Sequence, residues 1–141
     1  MATSATAETV AKMFADRSYE VVQLDGMRKT IAARLTEAKQ NIPHIYLTVD
    51  VELDRLLARR QKYNAANDVK ASVNDFIIKA CALALQAVPD ANAVWAGDRV
   101  LKMKASDVAV AVAIEGGLFT PVLQDAEAKS LSALSAQMKD L

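Results

Sequence analysis

Odd and even positions separate cleanly along residues 44–53. Ile45, Leu47, Val49, Val51 and Leu53 fall on one side, His44, Tyr46, Thr48, Asp50 and Glu52 on the other. This period-two pattern predicts a half-buried strand that starts after Pro43. Upstream, residues 1–17 are rich in Ala, Thr and Ser with little apolar periodicity, which predicts a linker or a frayed short helix. SYEVVQL (18–24) reads as a short strand. Asp25 then caps a helix over GMRKTIAARLTEAKQ, where Met27, Ile31, Leu35 and Ala38 recur at three- and four-residue steps.

Past the His44 strand, LDRLLARRQKYN predicts a second amphipathic helix with Leu53, Leu56 and Leu57 inward and Arg55, Arg59, Arg60 and Lys62 around the rest. AANDVKA reads as a loop. Ser72 with Asp75 three residues on has the form of a capping box opening a third helix, apolar nearly all round and so placed mid-fold. Pro89 ends it. Two short strands around Gly97-Asp98 follow. Residues 108–114 alternate Val/Ile with Ala109, Ala111 and Ala113, so one strand covered on both faces is expected. The alanine row permits close approach by a helix of the same subunit, the commonest case, by a neighbouring subunit, or by a narrow ligand channel. Gly116-Gly117 predicts a turn, Pro121 an edge or bulge. KSLSALSAQMKDL predicts a last helix through Leu131, Leu134 and Met138, still running where the sequence stops at Leu141.

Composition narrows the chemistry. The chain has 141 residues, 52% of them hydrophobic and 24% charged, with 17 Lys+Arg against 17 Asp+Glu. That suits a folded domain and supplies no net field for a nucleic-acid backbone. No apolar run approaches the roughly 18 residues of a membrane span. The opening residues carry no secretory signal and are poor in Arg for a transit peptide, so a cytoplasmic location is expected. One His and one Cys limit acid-base, nucleophilic and metal chemistry alike, and no metal-spaced His or Cys pair exists. His44 reads as a polar group tying down a strand end, and Cys81 as an inert packing thiol in an apolar helix.

Taken together, GMRKTIAARLTEAKQNIPHIYLTVDVEL, SVNDFIIKACALAL and DVAVAVAIEGGLFTPVL with AKSLSALS resemble the catalytic domain of the dihydrolipoyl acyltransferases, the cores of 2-oxo acid dehydrogenase complexes. The likeness runs unbroken over residues 18–141. IPHIYLTVDV is most similar to the acetyl-transferring branch of the pyruvate dehydrogenase complex. The resemblance implies an α/β fold, the chloramphenicol-acetyltransferase-like two-layer sandwich, a mixed sheet with helices on one side, here truncated at its C-terminal side. It implies homotrimers assembled into a cage, served by a lipoyl domain and by pyruvate decarboxylase and dihydrolipoyl dehydrogenase components, in bacterial cytoplasm or, if eukaryotic, the mitochondrial matrix. No nucleic acid, metal or membrane span is implied.

Such enzymes pass an acyl group between a lipoyl thioester and coenzyme A, which needs a base for the thiol and a donor for the developing oxyanion. In the family these come from an HxxxDG motif and a GGTFTISNLG-like segment. Neither occurs in these 141 residues. The resemblance therefore implies no catalytic residue here, and His44 matches a non-catalytic phrase. The expectation is part of such an acetyl-transferring core, inactive alone and marginally stable unless associated; the alternative is a non-catalytic assembly module or a coenzyme A-binding fragment. Two positions carry over as coenzyme A contacts, Arg60 in ARRQKYN and Ser72 at the head of the SxxxFxxKA helix. Read without the resemblance, they are a surface guanidinium fit for a phosphate and a plain N-cap. A third family contact, acidic in some relatives, falls on Ala113. Arg28 reads as a structural or intersubunit charge.

Overall fold

A computed structural model describes residues 6–67, 70–115 and 117–140, and the chain divides into two units, Met1–Tyr46 and Leu47–Leu141. In the first unit, helix α1 (Ala7–Met13) starts at Thr6, whose hydroxyl accepts the Thr9 amide at 3.3 Å. Helix α2 (Gly26–Asn41) starts at Asp25 as expected, with Oδ1 accepting the Arg28 amide at 2.7 Å. Its apolar stripe stays open: no α2 residue is buried, and Met27, Ile31 and Leu35 are all exposed.

Two expected strands do not form. Residues 18–24 and 44–53 carry no ladder, and Ile45, Leu47, Val49 and Val51 stand 71–83% exposed. Alternation tells which face a strand would bury but cannot supply the neighbour whose N–H and C=O groups complete the ladder. Among the described residues none pairs with either segment.

The second unit holds the remaining elements. Helix α3 (Asp54–Asn67) runs three residues further than expected, taking Ala65–Asn67 from the predicted loop; that loop's Asp68 and Val69 lie outside the described residues. Leu56 is half-buried, but Leu53 and Leu57 are exposed rather than inward. Helix α4 (Val73–Ala87) opens with the predicted capping box: Ser72 Oγ accepts the Asp75 amide at 3.2 Å and Asp75 Oδ2 accepts the Ser72 amide at 2.8 Å. Only one face of α4 is covered, through Asp75, Ile78 and Ala82. Cys81 lies on the other face and is exposed, not the buried thiol expected.

Strands β1 (Ala93–Trp95) and β2 (Val100–Lys102) form the predicted antiparallel hairpin, with Gly97 at φ 84° where a Cβ would be strained. Lys102 Nζ reaches Asp90 Oδ1 at 2.5 Å near the base of the hairpin. That hydrogen bond first, and the ammonium charge second, hold the Asp90 carboxyl below the usual carboxylate range. A depressed folded-state pKa helps stability above the unfolded value, and the help fades as pH falls through the lowered one. Lys102→Met is expected to raise the Asp90 titration midpoint in carboxyl NMR and to leave the melting temperature nearly unchanged, because the pair is exposed.

The single strand expected over 108–114 is two. Strand β3 (Val108–Ala109) pairs with β6 (Val122–Leu123), and β4 (Val112–Ile114) pairs with β5 (Gly117–Phe119), all antiparallel. Pro121 accounts for the break. It has no N–H to continue a ladder, so it contributes only its carbonyl, which accepts the Val110 amide at 3.0 Å. Of the predicted Gly116-Gly117 turn, Gly116 lies outside the described residues and Gly117 opens β5.

Helix α5 (Leu131–Lys139) begins at the Ser130 cap and ends before the sequence does, at Asp140. The core is built where α4, α5 and the β3–β6 ladder meet: Ile78, Ala82, Leu123, Ala126 and Leu134, flanked by Val108, Val110 and Met138. Thus the valine face of residues 108–112 is the one packed. The alanine row, Ala109, Ala111 and Ala113, is exposed rather than covered by a helix of this chain. Lys79 fastens the core's edge, its Nζ donating to the carbonyls of Ala126, Glu127 and Lys129 at 3.2, 2.6 and 2.7 Å. In that turn Asp125 takes φ 49°, while Ser106 and Asp107 accept or donate across it to Ala126, Glu127 and Asp125.

Candidate functional site

The connection between α3 and α4 brings the two expected coenzyme contacts to one peptide unit. Arg60, half-buried on α3, donates through Nε to the Ala71 carbonyl at 2.7 Å, and Ala71 immediately precedes Ser72. The guanidinium has five N–H donors, so this bond uses one of them. Ser72 is exposed at the head of α4, where the first-turn amides lack helical partners and the helix dipole is positive. Its hydroxyl oxygen accepts the Asp75 amide, which leaves its own O–H to give. A permanent cation bonded to the Ala71 carbonyl thus stands one residue from a hydroxyl and a helix start, groups suited in charge and hydrogen-bonding sense to a phosphate-bearing ligand.

Asn64 completes this junction and was not singled out by the sequence pattern. Its side-chain amide both donates to the Ala71 carbonyl and accepts the Ala71 amide, each at 3.0 Å. The signal was its place one turn beyond Arg60 on the same helix face. The neighbouring basic residues Arg59 and Lys62 are exposed on α3. Arg28 lies in the first unit, with its Nε 3.6 Å from Asp25 in an exposed pair.

His44 is exposed, and its Nδ1 lies 2.5 Å from the Ile42 carbonyl; since a carbonyl only accepts, Nδ1 is the donor. Its ring stacks on Tyr46 with centroids 6.3 Å apart. Cys81 borders an apolar cavity of about 470 Å³ lined by Val51, Leu53, Leu56, Ile77 and Ala80. Neither residue has an acid-base partner among the described residues. Among those residues too, no group of three or more His, Cys, Asp or Glu is placed to hold a metal, and no helix is long and apolar enough to cross a membrane.

The family described as 2-oxoacid dehydrogenases acyltransferase (catalytic domain) matches residues 16–141. The dihydrolipoyllysine-residue acetyltransferase component of the pyruvate dehydrogenase complex from Rhizobium meliloti (strain 1021) is 55% identical over 141 residues, covering 95% of this chain and 32% of that protein. The crystal structure of Azotobacter vinelandii dihydrolipoamide acetyltransferase superposes with a TM-score of 0.80 at 28% identity, covering 88% of this chain and 53% of that one. The cubic core of a pyruvate dehydrogenase multienzyme complex gives a TM-score of 0.80 at 29% identity, with coverage of 88% and 53%. The chain therefore spans about a third of the length of the curated relatives and about half of the solved chains. It shares their chloramphenicol-acetyltransferase-like α/β fold, to which it contributes helices and, among the described residues, three two-stranded antiparallel ladders. With that match over all but its first 15 residues, the chain belongs to the 2-oxoacid dehydrogenase acyltransferases, in their catalytic domain.

Proposed function

We propose that this chain is the coenzyme A-holding part of a dihydrolipoyllysine-residue acetyltransferase, in which an acetyl group passes between a lipoyl group and coenzyme A. The observation that carries the reading is the Arg60 hydrogen bond to the Ala71 carbonyl, next in the chain to the Ser72 cap, supported by 55% identity to a relative of that name. Arg60 would hold a phosphate of coenzyme A by charge-assisted hydrogen bonds, and Ser72 with the α4 amides would orient it. The base for the thiol and the oxyanion donor are assigned to HxxxDG and GGTFTISNLG-like segments, which these 141 residues do not contain. In this reading residues 1–17 act as the linker ahead of the domain. The partners are further copies forming trimers and a cage, a lipoyl domain, and the decarboxylase and dihydrolipoyl dehydrogenase components; the compartment is bacterial cytoplasm or mitochondrial matrix.

Coenzyme A titrated calorimetrically into the chain tests the site. Arg60→Ala is expected to weaken binding by about tenfold or more and Ser72→Ala by less, given ~1.5–3 kcal/mol for hydrogen bonds to charged groups. Unchanged affinity in both variants would remove the contacts. A second assay, with acetyl-CoA and dihydrolipoamide, is expected to find no turnover by the chain alone. Turnover that vanishes in His44→Ala would overturn the assignment of catalysis to the missing motifs. The open apolar side chains of residues 45–51 favour a second reading, an assembly module without chemistry. Light scattering that finds trimers, together with absent coenzyme A binding, would select it.

A further inference from the structure

Ala71 is fully buried, which obliges its N–H and C=O to find partners inside the protein. It belongs to neither helix, standing between α3 and the Ser72 cap. Asn64 meets both needs at once, donating Nδ2–H to the carbonyl and accepting the amide on Oδ1, each at 3.0 Å. A side-chain amide that grips a peptide from its donor and acceptor sides fixes orientation as well as distance. The carbonyl's second lone pair takes the Arg60 Nε–H at 2.7 Å, so Arg60 and Asn64, one turn apart on α3, hold the same oxygen.

We infer that Asn64 is a positioning residue for coenzyme A: by clasping Ala71 it sets the spacing and orientation of the Arg60 guanidinium relative to the Ser72 hydroxyl, without touching the coenzyme itself. This rests on the reading of Arg60 and Ser72 as coenzyme A contacts. With Nε committed to Ala71, Arg60 meets a phosphate through its terminal nitrogens. Without Asn64 the peptide can turn, Nε loses its anchor, and Arg60 and Ser72 no longer share a geometry.

The test is a double-mutant cycle read by calorimetric titration of coenzyme A, with the chain carrying Asn64→Ala, Arg60→Ala or both, and a thermal melt of each. Asn64→Ala is expected to weaken binding by about tenfold, and the double variant to bind little worse than Arg60→Ala, since residues acting through one geometry are non-additive. Asn64→Asp keeps the acceptor for the Ala71 amide and loses the donor. It is expected to fall between wild type and Asn64→Ala, and it serves if Asn64→Ala melts too low to titrate. Losses that add in full, or affinity unchanged by either Asn64 variant while Arg60→Ala weakens it, overturn the positioning role. Affinity untouched by Arg60→Ala and Ser72→Ala, or no binding at all, overturns the underlying reading instead.

Discussion

Replacement of Lys79 by methionine is expected to release the 124–130 turn from α4 and to cost about 3 kcal/mol of stability, within the range for losing hydrogen bonds to a charged group. The ammonium spends all three of its N–H donors on the carbonyls of Ala126, Glu127 and Lys129. Methionine keeps most of the aliphatic stem's packing, so the loss reports the polar head. Three carbonyls in a part-buried setting would then be left to water or to nothing. Ala126 is itself a fully buried core residue, so loosening the turn also disturbs the packing around Leu123 and Leu134. Urea unfolding, followed as a shift in midpoint at constant slope, measures the effect. A midpoint within error of wild type would mean that the staple contributes nothing.

A comparable loss, about 3 kcal/mol with a range of roughly 2–5, is expected for Leu134→Ala. Leu134 is fully buried between Ile78, Ala82, Leu123 and Ala126, and three of these four neighbours are small or sit at an element end. Its methyl groups therefore fill the space that Ala82 and Ala126 leave, and their removal opens a cavity that few neighbours can close. Leu134→Met nearly conserves volume and should cost under about 1.5 kcal/mol. Leu118→Ala, at a position 61% exposed, should stay within about 0.5 kcal/mol. Equal losses for Leu134→Ala and Leu118→Ala would mean that the core is not where the burial places it. Against a typical domain stability of about 5–15 kcal/mol, either of the two large losses would populate unfolded chain noticeably.

Local signals were legible where the chemistry that makes an element is itself local. Asp25 and Ser72 cap α2 and α4 through atoms three residues away, Pro89 stops α4 within two residues, and Gly97 turns the β1–β2 hairpin. The strands over 18–24 and 44–53 failed for the opposite reason. Their alternation is genuine, but a ladder needs a second strand, and pattern along one segment is silent about whether a partner exists. The same limit misplaces Cys81, Leu53 and Leu57: neighbours cover only the Asp75–Ile78–Ala82 side of the apolar α4, and of the apolar stripe at the start of α3 only Leu56 is half-buried.

At the site, Arg60 and Ser72 were legible as residues through the family resemblance, but the junction that ties Arg60 to the residue before Ser72 was not. It is made by a backbone group, the Ala71 peptide, and by Asn64, an amide with no charge to draw attention. Lys79 did leave a trace, as the one cation inside the otherwise apolar FIIKACALAL run. A charge in such a stretch calls for a partner, here three carbonyls nearly fifty residues away.

That fully donated ammonium also sets how this lysine behaves as a nucleophile. Its Nζ sits on a half-buried side chain, enclosed by three backbone carbonyls, so an electrophile has little room to approach it. Stray acylation by reactive thioesters should therefore fall on exposed lysines such as Lys12 and Lys29 well before it reaches Lys79, so the fastening of α4 is insulated from covalent damage by the same bonds that make it.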